Sequence, residues 1–146
     1  MKNNFYIFLD FDGVLHPPGK KTFEKTPILA KELLKYQDVK IVFSTSWRTF
    51  STFKDLLSYM PKKIQNRCVA KTPVINDYYS NKHVRYEEIL AFNRQNNIQN
   101  HWLALDDSAS LFPQNCKNLL LIQSSKQFSQ QDIPKLHQKI LEISKT

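Results

Sequence analysis

Apolar residues along the chain follow two rhythms. Phe5 to Asp10 (FYIFLD), Val39 to Phe43 and His101 to Leu105 are short, continuous apolar runs, the length of buried strands and too short for helices. Shorter runs at Cys68 to Ala70 and Leu119 to Ile122 read the same way. Between them apolar residues recur at helical spacing. Thr26 as N-cap and Pro27 at the first helical position open a helix through about Gln37, with Ile28, Leu29, Leu33 and Leu34 inward. Thr49 or Ser51 caps a second helix with Phe53, Leu56 and Leu57, which Pro61 closes. Val84 to Asn96 forms a third, with Tyr86, Ile89, Leu90 and Phe92 inward. Ser129 caps the last, which carries Ile133, Leu136, Ile140, Leu141 and Ile143. The alternation of apolar strands with amphipathic helices predicts an α/β fold, a parallel sheet with helices on both faces. In such sheets the site lies at the carboxyl ends of the strands.

Composition narrows the class. A chain of 146 residues holds one domain, residues 1–146, and no separate substrate domain. With 41% hydrophobic residues it has material for a core and does not read as disordered. No apolar run approaches the roughly 20 residues of a membrane span, and Phe5 to Leu9 is too short for a secretory leader. Cys68 and Cys116 lack ligand spacing and are expected as buried structural thiols. Together these features predict a cytoplasmic protein.

Three predicted strands end in residues that carry chemistry. Asp10 and Asp12 flank Phe11 where the first strand stops, and i and i+2 point to one side of a strand, so both carboxylates can address one site. Like charges this close repel unless a cation lies between them, and hard oxygen ligands suit Mg²⁺. Asp106 and Asp107, at another strand end, supply the rest of such a cage; capping of turns is the alternative for either pair alone. Ser44, Thr45 and Ser46 offer hydroxyls and free N–H groups for a phosphate oxygen, or ordinary capping. Arg48 can reach the same phosphate or pair with a surface acid. Arg85 can neutralise phosphate and carboxylates, or form a solvated helix-face ion pair.

The segments IFLDFDGVLHP, IVFSTSWR and WLALDDS resemble, in order, the first, second and fourth motifs of the haloacid dehalogenase (HAD) superfamily. With the Arg-x-x-Glu-Ile stretch at Arg85, they are similar to small HAD domains of RNA-repair proteins and related polynucleotide phosphatases. The resemblance implies a three-layer Rossmann-like fold and a Mg²⁺-dependent phosphatase. It implies that Asp10 attacks phosphorus to form an aspartyl-phosphate and that Asp12 acts as general acid and then base. Asp10, the Asp12 backbone carbonyl, Asp106 and Asp107 would hold the metal; Ser44 and Arg85 would hold the phosphoryl oxygens. The family's third motif usually presents a lysine; Arg85 stands in that place, with Lys82 the alternative. Gly13 is expected to permit a sharp turn after Asp12.

Family members often select substrates with an inserted cap, and neither Asp12 to Ser44 nor Arg48 to Arg85 has room for a large one. An open site suits the end of a polymer. The net charge is +8, and residues 54–85 carry Lys54, Lys62, Lys63, Arg67, Lys71, Lys82 and Arg85 against Asp55 and Asp77, among Tyr59, Tyr78 and Tyr79. Basic residues interleaved with aromatics suit an RNA or DNA strand. The leading expectation is removal of a terminal phosphate from a nucleic acid. A small nucleotide, sugar phosphate or phosphoprotein as substrate stays open, as does a non-catalytic phosphate- or nucleic-acid-binding module.

Overall fold

The computed structural model describes residues 4–75 and 83–146. Five parallel strands form one sheet in the order β3-β2-β1-β4-β5, with β1 Phe5–Leu9, β2 Val39–Phe43, β3 Cys68–Lys71, β4 Trp102–Asp106 and β5 Leu119–Leu121. Among the described residues five α-helices accompany them: α1 Thr26–Leu33, α2 Phe53–Ser58, α3 Lys62–Gln65, α4 Val84–Gln95 and α5 Asp132–Ser144. None of the described helices is long and apolar enough to cross a membrane.

The period of two along each strand divides the core into two layers. Ile7, Leu9, Ile41, Phe43, Leu103 and Leu105 face a cluster completed by Leu29 and Leu33 of α1, Leu56 of α2, Ile64 of α3 and Leu136, Ile140 and Ile143 of α5. Phe8, Val42 and Ala104 face the opposite way, against Ile89 and Phe92 of α4. Strands apolar on both faces read as continuous runs for this reason. The result is the expected three-layer arrangement.

Several boundaries differ from the sequence expectation, each for a local reason. α1 stops at Leu33 rather than Gln37, and Thr26 is its first residue rather than its cap. The second helix is capped by Thr52, not Thr49 or Ser51: Thr52 and Asp55 exchange side-chain-to-backbone hydrogen bonds at both ends of a capping box. Pro61 closes that helix but also opens α3, a single turn that the pattern did not reveal. Residues Ser46–Thr49 form a 3₁₀ turn capped by Thr45, whose hydroxyl accepts from the Trp47 N–H. α5 begins at Asp132, and Ser129 donates its backbone N–H and its hydroxyl to the Asp132 carboxylate instead of capping the helix itself. Leu141, expected inward, is 57% exposed. Cys68 is buried, where burial pushes its thiol up to about 12, and Cys116 is only half-buried.

Candidate active site

The register aligns the strand ends. Leu9 pairs with Phe43 and with Leu105, and Phe43 pairs with Lys71. One residue further on, Thr72, Ser44, Asp10 and Asp106 therefore stand in a row across the carboxyl edge of β3, β2, β1 and β4. Backbone hydrogen bonds extend the sheet through this row, from Thr72 N–H to Phe43, Ser44 N–H to Leu9 and Asp10 N–H to Leu105. Each of the four lies two residues beyond Ala70, Val42, Phe8 or Ala104, so each continues the face covered by α4.

All four are buried: Asp10 4%, Ser44 1%, Thr72 2% and Asp106 1% exposed. One carboxylate oxygen each from Asp10, Asp106 and Asp107 lie within 4.8 Å of one another. Arg85, at the first turn of α4, donates Nη1 to Asp106 Oδ2 at 2.8 Å and stands 3.4 Å from Asp10 Oδ2. When all three acids are ionised, one guanidinium leaves an excess of two negative charges. Burial, then the neighbouring Asp106 charge, hold the Asp10 carboxyl well above the usual carboxylate range despite Arg85. Asp106 is raised too, chiefly by burial. Burial works to lower Arg85, but Asp106 and Asp10 outweigh it and raise the guanidinium further.

Asp12 sits differently. Its Oδ2 accepts from Trp47 Nε1 at 2.8 Å, and its Oδ1 lies 2.8 Å from His16 Nε2 and 3.3 Å from the Gly19 N–H. Burial would raise this carboxyl, but the bonds from Trp47 and His16 prevail and lower it. Its carboxylate is outside the three-acid cluster. Asp10 and Asp12, two residues apart, thus occupy opposite electrostatic environments, one pushed toward the neutral form and one held as the anion.

Gly13 makes the join. It has φ +78°, and a β-carbon there would lie 2.1 Å from Asp107 Oδ2. The chain turns back at once, with the Gly13 N–H bonded to the His16 carbonyl at 2.9 Å.

The remaining candidates divide. Ser44 Oγ is buried without a hydrogen-bond partner among the described residues, facing the row of acids. Thr45 spends its hydroxyl on the cap. Arg48, expected to reach phosphate or a surface acid, is directed inward. Its Nη1 bonds the Thr45 carbonyl at 2.8 Å, its Nε the Thr72 carbonyl at 3.1 Å, its Nη2 the Pro73 carbonyl at 3.3 Å, and it pairs with buried Glu88 of α4. Glu88 also accepts the Ile75 N–H at 3.1 Å. This pair ties the ends of β2 and β3 to the helix that carries Arg85. Two members of the expected basic band bond backbone carbonyls: Arg67 those of Tyr36 and Val39 at the amino edge of the sheet, and Lys71 those of Arg48 and Ser51. Asp77, Tyr78, Tyr79 and Lys82 lie outside the described residues.

Thr72 escaped the sequence reading. Its hydroxyl, like that of Ser44, is buried without a partner among the described residues. The signal was present as a polar residue closing a fourth strand, but Cys68 to Ala70 was read two residues short of it.

A family described as the HAD domain in Swiss Army Knife RNA repair proteins matches residues 6–133. No curated protein and no solved structure matches the chain.

Proposed function

Since the chain belongs to the HAD domains of Swiss Army Knife RNA repair proteins, we propose that it is a divalent-metal-dependent phosphatase that removes a terminal phosphate from a nucleic acid through an aspartyl-phosphate on Asp10. The observation that carries this reading is the row of two buried acids and two buried hydroxyls, without hydrogen-bond partners among the described residues, along one sheet edge. Unpartnered buried hydroxyls are costly in a finished interior, so their placement argues for a ligand with acceptor oxygens.

The donor set fits a hard divalent cation: oxygens of Asp10, Asp106 and Asp107 converge, and their excess of two negative charges matches its charge. Mg²⁺ is the ion we assign there, and the Asp12 backbone carbonyl would complete its protein ligands. When bound, it neutralises phosphoryl charge and keeps Asp10 deprotonated.

Asp10 supplies the nucleophilic oxygen: its bond to phosphorus forms as the bond to the leaving oxygen breaks. Asp12 delivers a proton to that leaving oxygen, then takes one from the water that cleaves the acyl phosphate. Its carboxyl is held low in the free protein, and the negative charge of a bound phosphoester raises it toward the acid it must become. Arg85 and the Ser44 and Thr72 hydroxyls donate to the phosphoryl oxygens. Arg48 acts through Glu88, fixing the helix from which Arg85 projects.

Release of inorganic phosphate from oligonucleotides bearing a 3′- or 5′-phosphate, with MgCl₂ or with EDTA, tests the reading. Turnover of either substrate with MgCl₂ alone supports it. Turnover of small phosphoesters but neither oligonucleotide removes the nucleic-acid clause, and no turnover of any phosphoester removes the enzyme.

Two further results are expected. Thr72→Val, which swaps the hydroxyl for a methyl of similar size, should lower kcat/KM about tenfold or more. It should leave the melting temperature unchanged or raised, because no protein hydrogen bond is lost. A structural Thr72 would give the opposite pattern. Second, without a divalent ion Asp10 and Asp106 hold protons more tightly when folded than when unfolded. That stabilisation is full below the unfolded carboxylate value of about 3.9 and is lost as pH rises through the raised folded values. A cation that replaces those protons should therefore raise the melting temperature more at about pH 7.5 than at about pH 5. Equal shifts at both, read by thermal scans with and without MgCl₂, would place the ion elsewhere.

A further inference from the structure

Beside Asp12 the chain builds a wall of aromatic rings that begins in the core, at buried Trp47 with Phe23 packed against it, and runs out to exposed Tyr59 and Phe50. Trp47, whose indole N–H holds Asp12, is the centre: Phe23 meets it edge-on at 5.5 Å and Tyr59 at 5.3 Å, and Phe23 and Tyr59 are stacked at 4.8 Å with 12° between their planes. Its outer members face solvent. Tyr59 is 43% exposed, and Phe50, at 6.5 Å from Trp47, is 72% exposed. The loop that completes it is strained, with Lys21 at φ +54° and Phe23 at +53°, a region that bulky side chains rarely adopt. That conformation sets Phe23 against Trp47 and holds the Lys21 ammonium 5.4 Å from the Trp47 ring centroid.

We propose that this wall is the leaving-group subsite and that it receives the nucleobase next to the phosphate being removed, with Lys21 and the adjacent Lys20 contacting the following backbone phosphate. The inference rests on the phosphatase reading and specifies its substrate. Asp12 must lie against the leaving oxygen to protonate it, so whatever that oxygen belongs to lies against the rings that hold Asp12. Flat, exposed aromatics accept a base by its face, whichever base it is. A phosphotyrosine side chain would also stack, but it brings no second phosphate for lysines beside the wall. A polyanion does, in keeping with the net charge of +8.

The test compares wild type, Phe50→Ala and Phe50→Tyr on a terminally phosphorylated oligonucleotide, acetyl phosphate and a phosphotyrosine peptide. The ratio of kcat/KM for oligonucleotide over acetyl phosphate should fall about tenfold in Phe50→Ala, mainly through KM, and recover in Phe50→Tyr. Lys21→Gln should flatten the salt dependence of oligonucleotide KM. Turnover of acetyl phosphate with a ratio that Phe50→Ala leaves unmoved would overturn the subsite while the phosphatase stands. A peptide turned over faster than the oligonucleotide, with the same sensitivity to Phe50→Ala, would overturn the choice of occupant. No turnover of oligonucleotide, peptide or acetyl phosphate by wild type would overturn the phosphatase reading and the subsite with it.

Discussion

Asp10→Asn should abolish phosphatase activity, by roughly 10⁴-fold or more, while leaving the fold as stable as before or more so. The two halves of this result have one cause. Asp10 is buried beside Asp106 and Asp107, and its carboxyl is raised well above the usual range by burial and by the Asp106 charge. Ionising a carboxyl there costs folding free energy. Asparagine has nearly the same shape without the charge, so the repulsion goes and only the nucleophile is lost. Without a divalent ion, the melting temperature should rise by up to about 4 °C, and the gain should grow with pH above the unfolded carboxylate range. MgCl₂ should narrow the gap, because wild type binds the ion better than the variant. Activity assays beside thermal scans check both halves, and a variant that is inactive because it melts early would contradict the account.

Gly13→Ala should cost more than the same methyl at Gly19. The added carbon would lie 2.1 Å from Asp107 Oδ2 and would sit on backbone at φ +78°. The left-handed conformation alone costs about 1–2 kcal/mol for a residue with a β-carbon, and crowding at a packed position about 1–3 kcal/mol more. A drop in melting temperature of roughly 5–15 °C is expected. Relief of the clash requires Asp107 to move, which pulls one oxygen out of the three-acid cluster. Midpoints of Mg²⁺ titration should therefore move to higher concentration even where the variant is folded. Gly19→Ala is the control: φ is +77° but nothing lies within 4 Å of an added carbon, so only the conformational cost applies. If both substitutions cost the same, Gly13 is merely a turn residue and the contact with Asp107 is irrelevant.

The fold was largely legible because the two buried layers impose opposite demands on successive residues. Strands such as Phe5–Leu9 and Trp102–Asp106, covered on both faces, must be apolar throughout, and that pattern needs no tertiary information. Residues decided by local hydrogen-bond geometry were not legible. Thr49, Ser51 and Thr52 offer similar hydroxyls, and only the reciprocal bond with Asp55 selects Thr52. Arg48 illustrates the same limit at the site. A sequence shows an arginine after a run of hydroxyl residues, but its direction depends on Glu88, which lies on another helix and is buried only once the sheet forms. Thr72 was invisible because its meaning comes from register, which sets it beside Ser44 across two strands. Asp10, Asp106 and Ser44 were legible because each directly follows or ends a strand of strong apolar pattern. The bonds from Trp47 and His16 that hold Asp12 low were beyond any reading of spacing.

The central claim is that Asp10 takes up the phosphoryl group itself, and the phosphorylated enzyme tests it most directly. Wild type mixed with a terminally phosphorylated oligonucleotide and MgCl₂, quenched within one turnover and mapped by mass spectrometry, should carry one phosphoryl group on the peptide that contains Asp10. Asp10→Asn should carry none and release no phosphate. Full-rate phosphate release with no phosphorylated peptide, undiminished in Asp10→Asn, would contradict the account.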